Sequence, residues 1–355
     1  MAGFFDSLKV GDLELKNRII MSPMTRSRAD DEGIQSDFSA DYYAQRASAG
    51  LIITEAVNIS PMAKGYVRTP GIYTPEQIEA WKKTAAAVKE KDGKIFMQLF
   101  HTGRIALPDF LPDNAQPVAP SAVTAKGQNY TDDGMKDFVE PREITGEEIK
   151  QTIQDFAVAA KNAVQAGFDG AELHAASGYI VQQFLSTNAN LRTDEYGGSI
   201  ENRAGFLFEA IDAMTQAVGA ERVGIKLSPR MGFNDIEETD ADALYEYVVK
   251  NLSGRNLAYL HVSDVGNQGW HAKLRPLYDG VYFANAGLTE ETGGKLLAEN
   301  GADAIVYGVL FLANPDLPER FAKNVELNQP DQSTFYTPGE KGYTDYPTLE
   351  QAAAA

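Results

Sequence analysis

Apolar residues gather in short dense runs at positions 18–21, 51–55, 94–99, 170–174, 223–227, 258–262, 281–284 and 304–307. The runs are rich in Ile, Val, Leu and Phe and do not alternate with polar residues, as suits parallel strands covered on both faces. Amphipathic stretches separate most of them. One is predicted over 75–91, after Thr74 as N-cap and with Pro75 at the first helical position. Thr145-Gly-Glu-Glu148 is a capping-box pattern opening a helix to about Ala166. Further helices are predicted over 200–218, 240–252, 289–299 and 315–321, with a shorter one around 271–277.

Eight strand–helix alternations in one chain predict an α/β fold, a (β/α)8 TIM barrel. A doubly wound open sheet is the competing reading, but it does not need eight strands. Nor does a Gly-rich dinucleotide fingerprint follow the first strand, where Met21-Ser-Pro-Met24 stands. Residues 100–145 are too long for a simple loop and carry Pro108, Pro112, Pro117 and Pro120, so an extended excursion after strand 3 is expected, with a small hairpin. The tail at 328–347, rich in Pro, Gly and Tyr, is expected to fold back on the barrel, and Ala352–Ala355 to fray. No linker or repeat divides the chain, which reads as one domain over 1–355.

Composition narrows the function. The 43% hydrophobic content fills a sizeable core, and no apolar run reaches the roughly 18 residues of a membrane span. With 32 Lys+Arg against 50 Asp+Glu the net charge is −18, and no basic patch overrides it, so neither nucleic acid nor an anionic membrane is an expected partner. The absence of cysteine excludes disulfides and thiolate chemistry. Met1 to Lys9 shows no secretory pattern, and a cytoplasmic protein is expected. The four histidines, His101, His174, His261 and His271, include no pair at i, i+4 spacing, and no metal site is expected.

Barrel enzymes keep their chemistry at the C-terminal ends of the strands. Here those ends carry Ser22 to Arg26, Thr54 to Ala56, Gln98 to Arg104, His174 to Tyr179, Lys226 to Pro229, Asn285 to Gly287, and Gly308-Val309. Gln98 has the planar donor and acceptor set that an isoalloxazine edge requires. Lys226 offers a fixed charge where anion develops on a reduced flavin. The Gly-containing turns after strands 7 and 8 allow backbone N–H groups to approach a phosphate. Singly, a Gln, a Lys or a Gly at such a position also reads as an ordinary rim or packing residue.

Longer motifs are more specific. They are Leu15-Lys-Asn-Arg18-Ile-Ile-Met-Ser-Pro-Met-Thr25-Arg26, Tyr43-Ala-Gln-Arg46-Ala-Ser-Ala-Gly50-Leu-Ile-Ile-Thr-Glu55, Gln98-Leu-Phe-His101-Thr-Gly-Arg104, Arg192-Thr-Asp-Glu-Tyr-Gly-Gly-Ser-Ile-Glu-Asn-Arg203, Ala313-Asn-Pro-Asp-Leu317 and Gly342-Tyr-Thr-Asp-Tyr-Pro347. From about Phe5 to Pro347 the chain closely resembles the old yellow enzyme family of flavin-dependent ene-reductases, especially the bacterial branch that reduces N-ethylmaleimide, nitrate esters and enones. The resemblance implies non-covalent FMN at the barrel mouth, reduced by NADPH or NADH. It implies that Pro23, Met24, Thr25, Ala56, Gln98, His174 and Lys226 surround the flavin, and that Asn285, Ala286, Gly287, Gly308 and Val309 hold its phosphate. By the same likeness His174 and Ser177 grip a substrate carbonyl, Tyr179 donates a proton, and Tyr66, Phe100 and Tyr336 wall the pocket.

The implied chemistry is ping-pong reduction of small electrophilic alkenes. Hydride goes from flavin N5 to the β-carbon of an α,β-unsaturated carbonyl compound, and a proton goes from Tyr179 to the α-carbon. A monomer or homodimer is expected. Four positions depart from the family pattern. Ser177 stands for the usual Asn or His, Lys226 for Arg, Val309 for a frequent phosphate-binding Arg, and Phe100 for a frequent Trp. Losing one oxyanion-type donor at Ser177 costs on the order of 3 kcal/mol in the transition state. The alternatives are weakened ene-reduction or an altered reaction, such as nitro or nitrate-ester reduction or isomerisation. Tyr196-Gly-Gly198 and Glu201-Asn-Arg203 read as structural, a turn and a helix start with ion pairing.

Overall fold

A computed structural model describes residues 2–354. Eight parallel strands close into a barrel: β1 (Ile19–Met21), β2 (Leu51–Asn58), β3 (Ile95–Phe100), β4 (Gly170–Ala175), β5 (Val223–Leu227), β6 (Tyr259–Ser263), β7 (Tyr282–Asn285) and β8 (Ala304–Tyr307). They pair in sequence order, and β8 returns to β1. These are the eight apolar runs of the sequence, and every strand is buried or nearly so. Ile20, Leu51, Ile53, Phe96, Tyr259, Phe283 and Val306 fill the lower interior. Gly224 is required there, because a Cβ would lie 2.3 Å from the Tyr259 ring. A hairpin of Leu8–Val10 and Leu13–Leu15 puts Val10 and Leu15 into the same cluster and plugs the N-terminal end. These two short strands, each with a charged residue between its apolar ones, have no counterpart in the sequence reading.

The main outer helices are α1 (Ser39–Ala44), α2 (Pro75–Glu90), α3 (Gly146–Gln165), α4 (Ile180–Leu185), α5 (Ile200–Val218), α6 (Ala241–Leu252), α7 (Trp270–Leu274), α8 (Glu290–Ala298), α9 (Val309–Ala313) and α10 (Leu317–Lys323). Thr74 and Thr145 complete reciprocal capping boxes with Gln77 and Glu148. The short α1, α4 and α9 have no counterpart in the sequence reading, and α10 starts two residues later than expected, behind Asp316. Ser199 caps α5, and Arg203 pairs with Asp240, so the Tyr196-to-Arg203 motif builds structure.

The excursion after β3 holds the expected hairpin, Gln128–Thr131 with Gly134–Asp137. The tail folds back through two buried arginines beyond β1. Arg28 donates to the carbonyls of Gly339 (2.8 Å) and Thr334 (2.9 Å), and Arg26 to that of Gly342 (2.7 Å). Tyr343 stacks on Tyr42 at 3.9 Å between ring centres. A helix spans Leu349–Ala354, because Thr348 and Gln351 cap each other and alanine is the best helix former. Ala355 lies outside the described residues.

Candidate active site

The turn after β4 is the densest local structure in the barrel mouth. Ser177 (φ 58°) and Gly178 (φ 76°) are both left-handed, and they swing the chain from the strand into α4 with Tyr179 at its N-cap. Gly178 is obligatory, since a Cβ would lie 2.6 Å from that of Asn234. Four side chains clamp the turn. Ser228 Oγ accepts from the Ser177 N–H, Asn234 Nδ2 donates to the Ser177 carbonyl, Gln182 Oε1 accepts from Gly178 N–H, and Gln183 Nε2 donates to the Gly178 carbonyl. The carbonyl of His101 accepts from Ile180 N–H at 3.0 Å and ties the turn to the end of β3.

The clamp holds His174 and Tyr179 edge to face, with ring centres 4.8 Å apart. Phe100, fully buried, lies 5.3 Å from Tyr179 and 6.3 Å from His174 and backs both rings. Tyr179 Oη hydrogen-bonds Tyr66 Oη at 3.1 Å. Burial pushes both phenols above their usual range. Burial, then Lys226 and His261, hold His174 well below 6.5 and therefore neutral at pH 7. Tyr66, Tyr179 and Tyr336 line a cavity of about 590 Å³, joined by Thr25, Phe233 and residues of the tail. The hydroxyl of Ser177 is directed at Met231 Sδ, 3.7 Å away.

Register explains the polar interior. Ala56, Gln98 and Glu172 are aligned across β2, β3 and β4, and His174, Lys226 and His261 across β4, β5 and β6. A register shift between Ile53 and Ala56 in β2 brings Ala56 level with Gln98, while Glu55 accepts from the Arg26 N–H and from Gln35. Glu172, fully buried, accepts from Gln98 Nε2 at 2.7 Å and contacts His261 Nδ1 at 2.9 Å. Burial keeps His261 below its usual pKa, so Nδ1 carries the proton that bonds Glu172. Lys226 has no ion-pair partner among the described residues, and burial lowers its pKa against the pull of Glu172.

At the opposite wall Asn285 Nδ2 donates to Ser22 Oγ at 3.1 Å, joining the ends of β7 and β1. Ala286 (φ 88°) and Gly287 (φ 67°) are consecutive left-handed residues, an arrangement that turns backbone N–H groups to one side, and nothing stands within 4 Å of a Cβ built on Gly287. Gly308 lies close to Met24 and Ser22, and Val309 beside it is exposed. FMN fits these residues. His174 Nδ1 is buried without a partner, Lys226 is a buried unpaired ammonium, and the Ala286–Gly287 turn leaves room for an anion.

Sequence reasoning named the strand-end residues, Ser228 among them without a role, and missed others that hold them: Glu172, His261, Gln182, Gln183 and Asn234. A visible signal existed in two cases. Glu172 and His261 interrupt otherwise apolar strands, and Gln182-Gln183 interrupts an apolar six-residue segment.

The family profile described as NADH:flavin oxidoreductase / NADH oxidase matches residues 3–328. The chain is 45% identical over 355 residues to 12-oxophytodienoate reductase 1 of Oryza sativa subsp. japonica, covering 97% of this chain and 92% of that one. It is 42% identical over 351 residues to a probable flavin mononucleotide-dependent alkene reductase of Leishmania infantum, covering 96% of each. Among solved structures, morphinone reductase in complex with tetrahydroNAD superposes with a TM-score of 0.95 at 44% identity over 99% of both chains. The old yellow enzyme homologue from Zymomonas mobilis gives 0.96 at 37% identity, over 98% of this chain and 100% of that one. The chain therefore belongs to the NADH:flavin oxidoreductase / NADH oxidase family, among the old yellow enzyme homologues, and is an FMN-dependent oxidoreductase.

Proposed function

We propose that this chain is a nicotinamide-dependent FMN ene-reductase that saturates the activated C=C bond of α,β-unsaturated carbonyl compounds. The observation that carries it is the His174–Tyr179 pair, a neutral imidazole and a protonated phenol held 4.8 Å apart at one clamped turn and opening on a cavity through Tyr179. FMN, when bound, supplies the two-electron relay between the nicotinamide and the alkene. Every other task falls to the chain.

His174 donates a ring N–H to the carbonyl oxygen, where negative charge grows as the β-carbon is reduced. A donor fixed in a dry site stabilises that charge without reorganising. Tyr179 holds a proton for the α-carbon, and its raised pKa keeps it an acid at neutral pH. Lys226 supplies positive charge beside the flavin, with Pro23, Met24, Thr25, Ala56 and Gln98 around the ring system. The turn Asn285, Ala286, Gly287 and the pair Gly308, Val309 take the phosphate through backbone donors. Tyr66 and Tyr336 wall the substrate pocket, and Phe100 backs the reacting pair. One FMN-binding domain over 1–355, a cytoplasmic location and a monomer or homodimer complete the reading. Among the described residues no helix is long and apolar enough to cross a membrane.

A second reading rests on Ser177. With its hydroxyl on Met231 Sδ, one side-chain donor, His174, is left for a carbonyl, which weakens ene-reduction and leaves nitro or nitrate-ester reduction as the alternative reaction. Purified protein assayed anaerobically with 2-cyclohexenone, N-ethylmaleimide and nitroglycerin separates the two. Faster saturation of the enones supports the first, and turnover of nitroglycerin alone supports the second. Tyr179→Phe is expected to slow reoxidation by 2-cyclohexenone by about 100-fold or more while reduction by NADH or NADPH survives. Equal loss of both half-reactions refutes the assignment of Tyr179.

A further inference from the structure

The oxygen of Tyr179 has one hydrogen-bond partner among the described residues, the Tyr66 phenol at 3.1 Å. Around it stand the rings of His174, Phe100 and Tyr66, at 4.8, 5.3 and 6.2 Å between centres. No cation is paired with it. An acid in such surroundings faces a specific difficulty. Once its proton has gone to carbon, a phenolate is left in an apolar pocket, and burying an unpaired charge is costly. The donor available to that oxygen is the Tyr66 O–H, because a phenol hydroxyl rotates to donate or accept as its neighbour demands.

Tyr66 is well placed for more than this contact. It sits on the segment following β2, is only half-buried, and lines the cavity of about 590 Å³ together with Tyr179. Its phenol also has the Asn234 amide beside it, from the loop after β5. Asn234 in turn donates to the carbonyl of Ser177, two residues before Tyr179, at 2.8 Å. The acid, its hydrogen-bond partner and the turn carrying the acid are thus one connected unit, with its outer end at the cavity.

Resting on the ene-reductase reading, we propose that Tyr66 is a positioning residue and proton relay for Tyr179. In the reduction step the Tyr179 O–H bond breaks and its proton forms the new C–H bond at the substrate α-carbon. The Tyr66 O–H proton passes to Tyr179 Oη, and the Tyr66 oxygen takes a proton from cavity water. The sum is one proton drawn from solvent for each alkene saturated, with both phenols restored. No oxidant or reductant enters these steps.

The test compares holoenzyme carrying Tyr66→Phe with the parent in anaerobic stopped-flow. Phe keeps the ring that packs on Tyr179 and removes only the hydroxyl. Reoxidation of reduced enzyme by 2-cyclohexenone is expected to slow by about 10- to 100-fold, far more than reduction by NADH does. The decisive measurement is the rate of reoxidation in mixtures of H2O and D2O. Two protons in flight give a curved dependence on deuterium fraction for the parent, and one gives a straight line for Tyr66→Phe. A wall residue that merely shapes the pocket would change the rate and leave the curvature. If the parent saturates 2-cyclohexenone with a straight line, or if the variant keeps the curvature whatever its rate, the relay is wrong while the ene-reductase reading stands. If the parent's reduced flavin is not reoxidised by the enone at all, both fall.

Discussion

Protonation of one buried histidine, His101, should contribute a separable part of the acid sensitivity of this barrel. His101 ends the strand run of β3, and its Nδ1 accepts from the Gly103 N–H at 3.0 Å, so the ring is bound in its neutral form. Burial drives its pKa from 6.5 to about 4. The folded state thus refuses a proton that the unfolded chain takes up below about pH 6.5. Stability is complete above that pH, falls as pH drops toward 4, and loses nothing more from this group below 4. At 1.36 kcal/mol per pH unit the window amounts to about 3 kcal/mol. His101→Asn isolates the effect, because the Asn Oδ1 occupies the place of Nδ1 and can keep the bond to Gly103. Urea unfolding of both proteins, saturated with FMN, at intervals between pH 7 and pH 4 measures it. The other histidines and the carboxylates titrate in both and cancel. The parent is expected to lose about 3 kcal/mol more than the variant across the window. Parallel pH curves would refute the reasoning. Because the His101 carbonyl also receives the Ile180 N–H, protonation of the folded form, near pH 4 and below, should disorder the Tyr179 turn, and activity should fall there.

Two further outcomes are expected. Ser177→Asn suits the left-handed backbone better and reaches further into the mouth, so a phenolic ligand titrated by its visible absorbance change should bind about tenfold more tightly; unchanged affinity means that the position does not touch the ligand. Glu172→Gln weakens two hydrogen bonds to a buried carboxylate and leaves Lys226 without a nearby anion, which should destabilise the protein by about 2 kcal/mol and weaken FMN binding, followed by flavin fluorescence, about tenfold. Equal FMN affinity in parent and variant would show that Glu172 does not orient Gln98 for the cofactor.

The barrel is legible in the sequence because parallel strands covered on both faces must be apolar throughout, and eight such runs have few other uses. The strand-end residues follow from that, since a closed parallel barrel gathers its C-terminal ends into one mouth. What holds the site is less visible. Gln182 and Gln183 act on backbone atoms of a turn a few residues away, and Asn234 reaches it from another loop, so neither leaves a spacing pattern. The hydroxyl direction of Ser177 depends on Met231, more than fifty residues on. Phe100, a pocket wall by family likeness, is fully buried beside the two rings, a degree of burial that its place in the sequence does not show.

The two arginines that grip the tail also impose an order in time. Arg26 and the carbonyl of Phe335 that it binds are 309 residues apart. At about 5–20 residues per second, a ribosome needs roughly 15 to 60 s to travel from one to the other. Throughout that interval both guanidinium groups must be satisfied by water, and the side of the cavity formed by Gln332 to Pro338 does not exist. A nascent chain with all eight strands already emerged would therefore have a barrel whose mouth stands open, and small molecules would meet a finished pocket only after those late residues had docked.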